Sequence, residues 1–280
     1  MRSILVTVDD TPSSLAARRL AAALALRTGA QLHGVTGFEM ADLDRGELAP
    51  LGGAEYAYNR LQQRERQARD RRARVAALPQ AFESSMAAQG LEAPCSVMES
   101  DVRSELLQRI ETCDLVITGR DAEFHLEPAE HGVTPLVEHV IQHGSRPVLV
   151  TGPAVPDGGP VLVAYDGSLP AAKSLQMAVL VGMLEGTAVH VLSMGQQHSE
   201  ARAVAGRAAA FLQAHGIEPQ IDTSESHDDP AAQITRRAGE IGARLLVMGA
   251  FGHRRLRDVL FGSCTRHLFD AVPLPLFIYH

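Results

Sequence analysis

At 280 residues, 45% hydrophobic and 21% charged, the chain has the composition of a folded globular protein with material for one large domain or two ordinary ones. A net charge of −7 disfavours a general polyanion binder, which sets nucleic acid aside as a main partner. Three widely spaced cysteines, Cys95, Cys113 and Cys264, give neither a disulfide framework nor a zinc knuckle, and no run approaches the roughly 18 apolar residues that span a bilayer. The N-terminus runs straight from Met1-Arg2-Ser3 into the strand pattern Ile4-Leu5-Val6-Thr7-Val8-Asp9 without a signal-peptide core, so a soluble cytoplasmic protein is expected.

Thr11 and Pro12 then start a helix as N-cap and first-turn proline. Between about 39 and 90 the spacing of Leu61, Ala68, Val75 and Phe82, one every seven residues, predicts a long helix with a narrow apolar seam. Its arginines, from Arg60 to Arg74, are read as a solvated face in preference to an RNA- or partner-binding patch, since Glu65 and Asp70 are interspersed. A buried strand follows at Asp114-Leu115-Val116-Ile117-Thr118-Gly119. His139 and His143, with His131 and Glu138 nearby, have a spacing that chelates zinc on a helix, but without a third strong ligand they read more simply as exposed helix histidines. Arg146-Pro147-Val148-Leu149-Val150 closes the first half, and the Pro/Gly-rich stretch from Gly152 to Pro160 reads as a linker.

The second half repeats the first. Val161-Leu162-Val163-Ala164-Tyr165-Asp166 aligns with the opening strand, Ser168 and Pro170 with the helix start, Leu245-Leu246-Val247-Met248-Gly249 with the strand ending at Gly119, and Pro275-Leu276-Phe277-Ile278 with the closing strand. Apolar runs alternating with helically patterned stretches predict βαβ units, hence an α/β fold with a parallel sheet covered on both faces. Strands are expected near 161–166, 187–193, 218–223, 244–249 and 274–279. The domains are placed at 1–152 and 153–280.

The most chemically informative segment follows Met248, where Gly249, Gly252, Gly262 and Ser263 read G-x2-G-x9-G-S. A strand delivered into a glycine-marked loop that ends at a helix start lets backbone N–H groups close on phosphate oxygens. In the first half the same places hold Gly119, Ala122, Gly132 and Val133, so the second glycine and the final hydroxyl are lost. That half is expected to be a scaffold or to take another ligand.

These residues resemble the universal stress protein family, and the repeat resembles its tandem form. The likeness is strongest from Val161 to Ser168 and from Leu245 to Phe277, where Gly252-His253-Arg254-Arg255-Leu256 and Gly262-Ser263-Cys264-Thr265 follow the family pattern. The resemblance implies two Rossmann-like domains of the adenine nucleotide α-hydrolase type, each an open five-stranded parallel sheet with helices on both faces. It implies an ATP site in which Asp166 lies beside adenine and ribose, Val191 lines the adenine and Met248 and Gly249 lie beneath the ribose. Gly252, His253, Gly262, Ser263, Cys264 and Thr265 would surround the phosphates, with Mg2+ as a companion ion. It also implies a pseudo-dimer through the last strands of the halves, Pro147 to Val150 and Pro275 to Ile278, and allows a homodimer of chains.

Read from the residues alone, Asp166 before Gly167-Ser168 also fits a plain turn former, and Cys264 fits either a thiol activated at a helix start or a small packed residue. No Walker lysine or carboxylate pair is present to orient a water against a γ-phosphate, so slow ATP hydrolysis is the most expected of the site. The leading expectation is an ATP-binding regulatory module acting on a protein partner not identified by the sequence. A ligand-free stress scaffold and an adenylyl-transfer or pyrophosphatase-type enzyme are the alternatives.

Overall fold

The computed structural model describes residues 1–38, 54–99, 101–124, 133–225, 229–250, 265, 267–269 and 272–280, with side chains in the segment 54–71 described only at 62, 66 and 69. In chain order the elements are β1 (Ser3–Thr7), α1 (Pro12–Thr28), β2 (Gln31–Gly37), α2 (Ala54–Ala87), β3 (Cys95–Met98), α3 (Val102–Ile110), β4 (Leu115–Gly119), α4 (Pro135–His143) and β5 (Val148–Thr151). They continue with β6 (Val161–Ala164), α5 (Leu169–Leu180), β7 (Val189–Gly195), α6 (His198–Ala214), β8 (Pro219–Glu225), α7 (Pro230–Glu240), β9 (Leu245–Gly249) and β10 (Leu276–Tyr279). All five strands expected in the second half are present within a few residues of the expected positions.

The strands form one ten-stranded sheet in the order β3-β2-β1-β4-β5-β10-β9-β6-β7-β8. Pairing is parallel inside each half and antiparallel where the halves meet, with Val148 opposite Ile278, Leu149 opposite Phe277 and Val150 opposite Leu276. The last strands therefore cover each other's edges, which removes two open rows of N–H and C=O groups.

Apolar residues on both faces of the strands explain why both faces are covered. Ile4 and Val6 enter one core with Leu115, Ile117, Val247 and Phe277, while Leu5, Val116, Leu246 and Ile278 enter the other. Each core draws on both halves, so the sheet is packed as a continuous layer. Helices α1, α2, α5 and α6 cover the first face, with alanines such as Ala17, Ala21 and Ala22 letting α1 lie close, and α3, α4 and α7 cover the second.

Capping follows the sequence signals. Thr11 Oγ1 accepts the Ser14 N–H at 3.2 Å and Ser168 Oγ the Ala171 N–H at 3.3 Å, each just before a first-turn proline. In the long helix α2, Val75 and Phe82 of the seven-residue seam are buried together with Met86, whereas Arg66, Arg69, Arg72 and Arg74 are exposed. Leu61 and Ala68 lie outside the described side chains.

Candidate functional site

In the second half the chain moves outward from β6 through β7 and β8, then returns to pair β9 on the other side of β6. Strand β6 leads to β7 on one side and β9 to β10 on the other, so the strand order reverses between their carboxyl ends, the place where open parallel sheets form a ligand crevice. Asp166 stands there, exposed, with Oδ1 accepting the Ser168 N–H at 2.9 Å. The turn therefore uses this carboxylate, as the simpler reading expects, and Gly167 completes it in the left-handed region at φ 76°. A Cβ at Gly167 would come within 2.6 Å of Nη2 of Arg207, so α6 brings an exposed guanidinium against the turn. Nothing in the spacing of α6 marked Arg207, because only the packing of α6 beside the β6–α5 turn places it there.

Gly249 ends β9 at the same crevice. A Cβ built on it would lie 2.4 Å from the Ala171 backbone N and 2.6 Å from the Pro170 carbonyl carbon. Its missing side chain is thus required by the close approach of α5, a reason of packing that exists without any ligand. Met248 is buried beside it, and Thr265 is buried in a helical residue of the return to β10. Val191 is level with Val163 and fully enclosed in the core, below the crevice, so the register does not bring its side chain to the mouth. The β7 residues at that height are the half-buried Met194 and Gly195. Gly252, His253, Gly262, Ser263 and Cys264 lie outside the described residues.

The matching place in the first half is closed by the chain itself. Asp9, aligned with Asp166, is only 2% exposed. Its Oδ2 accepts the backbone N–H groups of Glu123 and Phe124, both at 3.0 Å, and its Oδ1 that of Asp10 at 2.9 Å. Asp121, two residues after Gly119, accepts the hydroxyls of Thr11 at 2.7 Å and Ser13 at 2.9 Å, placing a carboxylate at the start of α1. Ala122, Phe124 and Val133 are buried in the core, and the Thr134 hydroxyl is consumed by the Ala122 carbonyl. Two carboxylates and an apolar plug thus fill this end of the first half. Gly132 lies outside the described residues.

A family model described as "Universal stress protein family" matches residues 159–280. The match covers less than half of the chain and shows a likeness to that family in its second half. The universal stress protein Slr1230 of Synechocystis sp. is 28% identical over 168 residues, which is 59% of this chain and 58% of that relative's length. Among solved structures, a universal stress protein from Archaeoglobus fulgidus DSM 4304 superposes with a TM-score of 0.66 at 17% identity over 99% of this chain and 97% of that one. A Pseudomonas aeruginosa UCBPP-PA14 chain assigned to the same family gives 0.60 at 21% identity, covering 100% and 93%. At these identities the likeness is one of fold, and it extends over both halves.

In the first half, the rings of His139 and His143 on α4 are 4.6 Å apart, and His131 lies outside the described residues. Among the described residues no three His, Cys, Asp or Glu side chains converge on a point that would hold a metal. Burial, then His143 and Arg103, hold the His139 imidazole below its ordinary value of 6.5. The unfolded chain therefore takes up this proton first, and stability falls as the pH drops through 6.5. His139→Gln is expected to make the loss of urea midpoint between about pH 7.5 and about pH 5.5 smaller than in the parent chain, and an equal loss would refute this origin. Among the described residues no helix is long and apolar enough to cross a membrane.

Proposed function

We propose that this chain is a tandem, ATP-binding stress-response module of the cytoplasm in which residues 153–280 bind the nucleotide and residues 1–152 are a scaffold. The observation that carries the reading is the contrast between the two carboxyl-terminal crevices. The second follows an exposed Asp166 and feeds directly into G-x2-G-x9-G-S, whereas the first is filled by Asp9, Asp121 and Phe124. In this reading Asp166 meets the adenosine and Met248 and Gly249 lie under it. Gly252, His253, Gly262, Ser263, Cys264 and Thr265 supply N–H and hydroxyl donors to the phosphates. Arg207 adds positive charge at the turn. Mg2+, where present, would arrive with the triphosphate and screen its charge.

The role is regulatory. No side chain of the set is suited to deprotonate a water in line with the γ-phosphate, so hydrolysis is slow at most. Occupancy changes the surface at the glycine loop, and a protein partner reads that change. The reducing cytoplasm suits Cys95 and Cys113, both unpaired.

Ligand binding to the folded state alone stabilises it by mass action, about 2.7 kcal/mol at a hundred times Kd. Saturating ATP is therefore expected to raise the unfolding midpoint of the parent chain and to leave Gly262→Val unchanged. Absence of any ATP-dependent stabilisation in nucleotide-free parent protein would favour the scaffold alternative for the whole chain.

A further inference from the structure

The internal repeat also gives a reference for a cavity at the opposite, amino-terminal side of the sheet. In the second half, Asp222 on β8 is held by two neighbours. Arg237 on α7 forks its carboxylate, Nε to Oδ2 at 3.0 Å and Nη2 to Oδ1 at 2.8 Å, and His190 Nδ1 lies 3.0 Å from Oδ2. Arg237 also donates Nη1 to Glu240 at 3.2 Å, so this guanidinium sits between two carboxylates.

Register identifies the same three positions in the first half. His33 pairs with Leu5 as His190 pairs with Leu162, its aligned counterpart. Ser96 pairs with Val35 as Asp222 pairs with Leu192, and Val35 and Leu192 accept equivalent backbone N–H groups from Val8 and Tyr165. Arg109 precedes the buried Ile110 of α3 as Arg237 precedes the buried Ala238 of α7. The histidine and the arginine are kept, and the carboxylate between them has become a serine.

The consequence is visible in the contacts. Arg109 donates Nη2 to Glu105 and Nη1 to Ser96 Oγ, while its Nε is buried with no hydrogen-bond partner, although the Nε of Arg237 is taken by Asp222. A cavity of about 470 Å3 lies at this place, lined by His33, Ser96, Arg109 and Thr112 with Cys95 and Cys113, and no Asp or Glu contributes to its wall. The thiols do not supply the missing anion either. Burial, reinforced by Glu83, pushes Cys95 up to about 12, and burial pushes Cys113 up to about 12, so both are neutral. The volume falls in the range of small-molecule sites, roughly 300–1,000 Å3.

We propose that this cavity binds a small organic carboxylate whose carboxylate group takes the place that the Asp222 side chain holds in the second half, forked by Arg109 and reached by His33 and the Ser96 hydroxyl. An arginine fork matches the planar geometry of a carboxylate through two parallel N–H bonds, which favours this class over a spherical anion. The cavity lies at the far side of the sheet from the ATP crevice, so the proposal is independent of the nucleotide reading.

The test uses the full chain in a low-salt, carboxylate-free buffer titrated with succinate, acetate and inorganic phosphate and followed by calorimetry and by NMR of the arginine side chains. Saturable binding of succinate or acetate at one site is expected, with at least a roughly tenfold loss in Arg109→Met. Ser96→Asp supplies the carboxylate from within the chain. It should abolish the binding while keeping the circular dichroism spectrum and a urea midpoint no lower than that of the parent. Unaltered succinate binding in a folded Ser96→Asp chain, or no saturable carboxylate binding in the parent, would overturn the proposal. Saturable phosphate binding without carboxylate binding would overturn the ligand class.

Discussion

Gly249→Ala is expected to lower the free energy of unfolding by about 3 kcal/mol, with or without nucleotide, because the added methyl group enters backbone and not a flexible side chain. The new Cβ would stand 2.4 Å from the Ala171 N, 2.6 Å from the Pro170 C and 2.9 Å from the Ala171 Cα, so the whole start of α5 must move off the sheet. That movement disturbs Ala171 and Leu175, which are buried on the same helix. Gly119→Ala meets Ser14 N at 2.5 Å and Ser13 C at 2.6 Å at the start of α1, and the same cost is expected there. Gly206 in α6 is the control. Nothing lies within 4 Å of a Cβ at that position, so Gly206→Ala should stabilise by up to about 1 kcal/mol through helix propensity alone. Urea unfolding of the three variants checks the pattern. A Gly249→Ala chain as stable as the parent would show that α5 does not press on β9 as described.

Asp9→Ala is the second large effect, a loss of about 3 kcal/mol. Removing the carboxylate leaves the N–H groups of Glu123 and Phe124 without acceptors, the latter in a buried position. Phe124 has φ 47°, a conformation that a bulky residue holds only when its surroundings impose it, and the Asp9 bond is one of those constraints. Its fully buried ring, together with Ala122 and Val133, depends on that placement. Asp166→Ala, at the aligned position, removes an exposed side chain bonded to one turn N–H, and its effect on stability should be well under half as large. Equal losses in the two variants would contradict the assignment of Asp9 to the interior and Asp166 to the crevice.

Much of this was legible in the sequence, because buried parallel strands and proline-led helix starts leave local signatures. Ile4 to Val8, Val161 to Tyr165 and Leu245 to Met248 are apolar runs that only a sheet covered on both faces accommodates, and Thr11-Pro12 and Ser168-Leu169-Pro170 mark their helices directly. The replacement of the second glycine by Ala122 and of the final hydroxyl by Val133 is visible too. What filled the vacated space was not, since the grip of Asp9 on Glu123 and Phe124 joins residues more than a hundred positions apart. Gly249 opens the glycine signature and by resemblance lies beneath the ribose, although helix packing already requires a glycine there. Val191 was assigned to the adenine by family likeness, but strand register sets its height and puts it inside the core. The His190–Asp222–Arg237 cluster and its first-half counterpart left no motif at all, because their members come from two strands and a helix.

In the proposed function one crevice accepts a nucleotide and the other is closed by the chain itself. The most direct measurement is calorimetric titration of ATP with Mg2+ into the nucleotide-free full chain, read for stoichiometry. One site per chain, lost in Gly262→Val, is the predicted result. Two sites would contradict the closure by Asp9, Asp121 and Phe124, and no site would contradict the reading of Asp166 and the glycine loop.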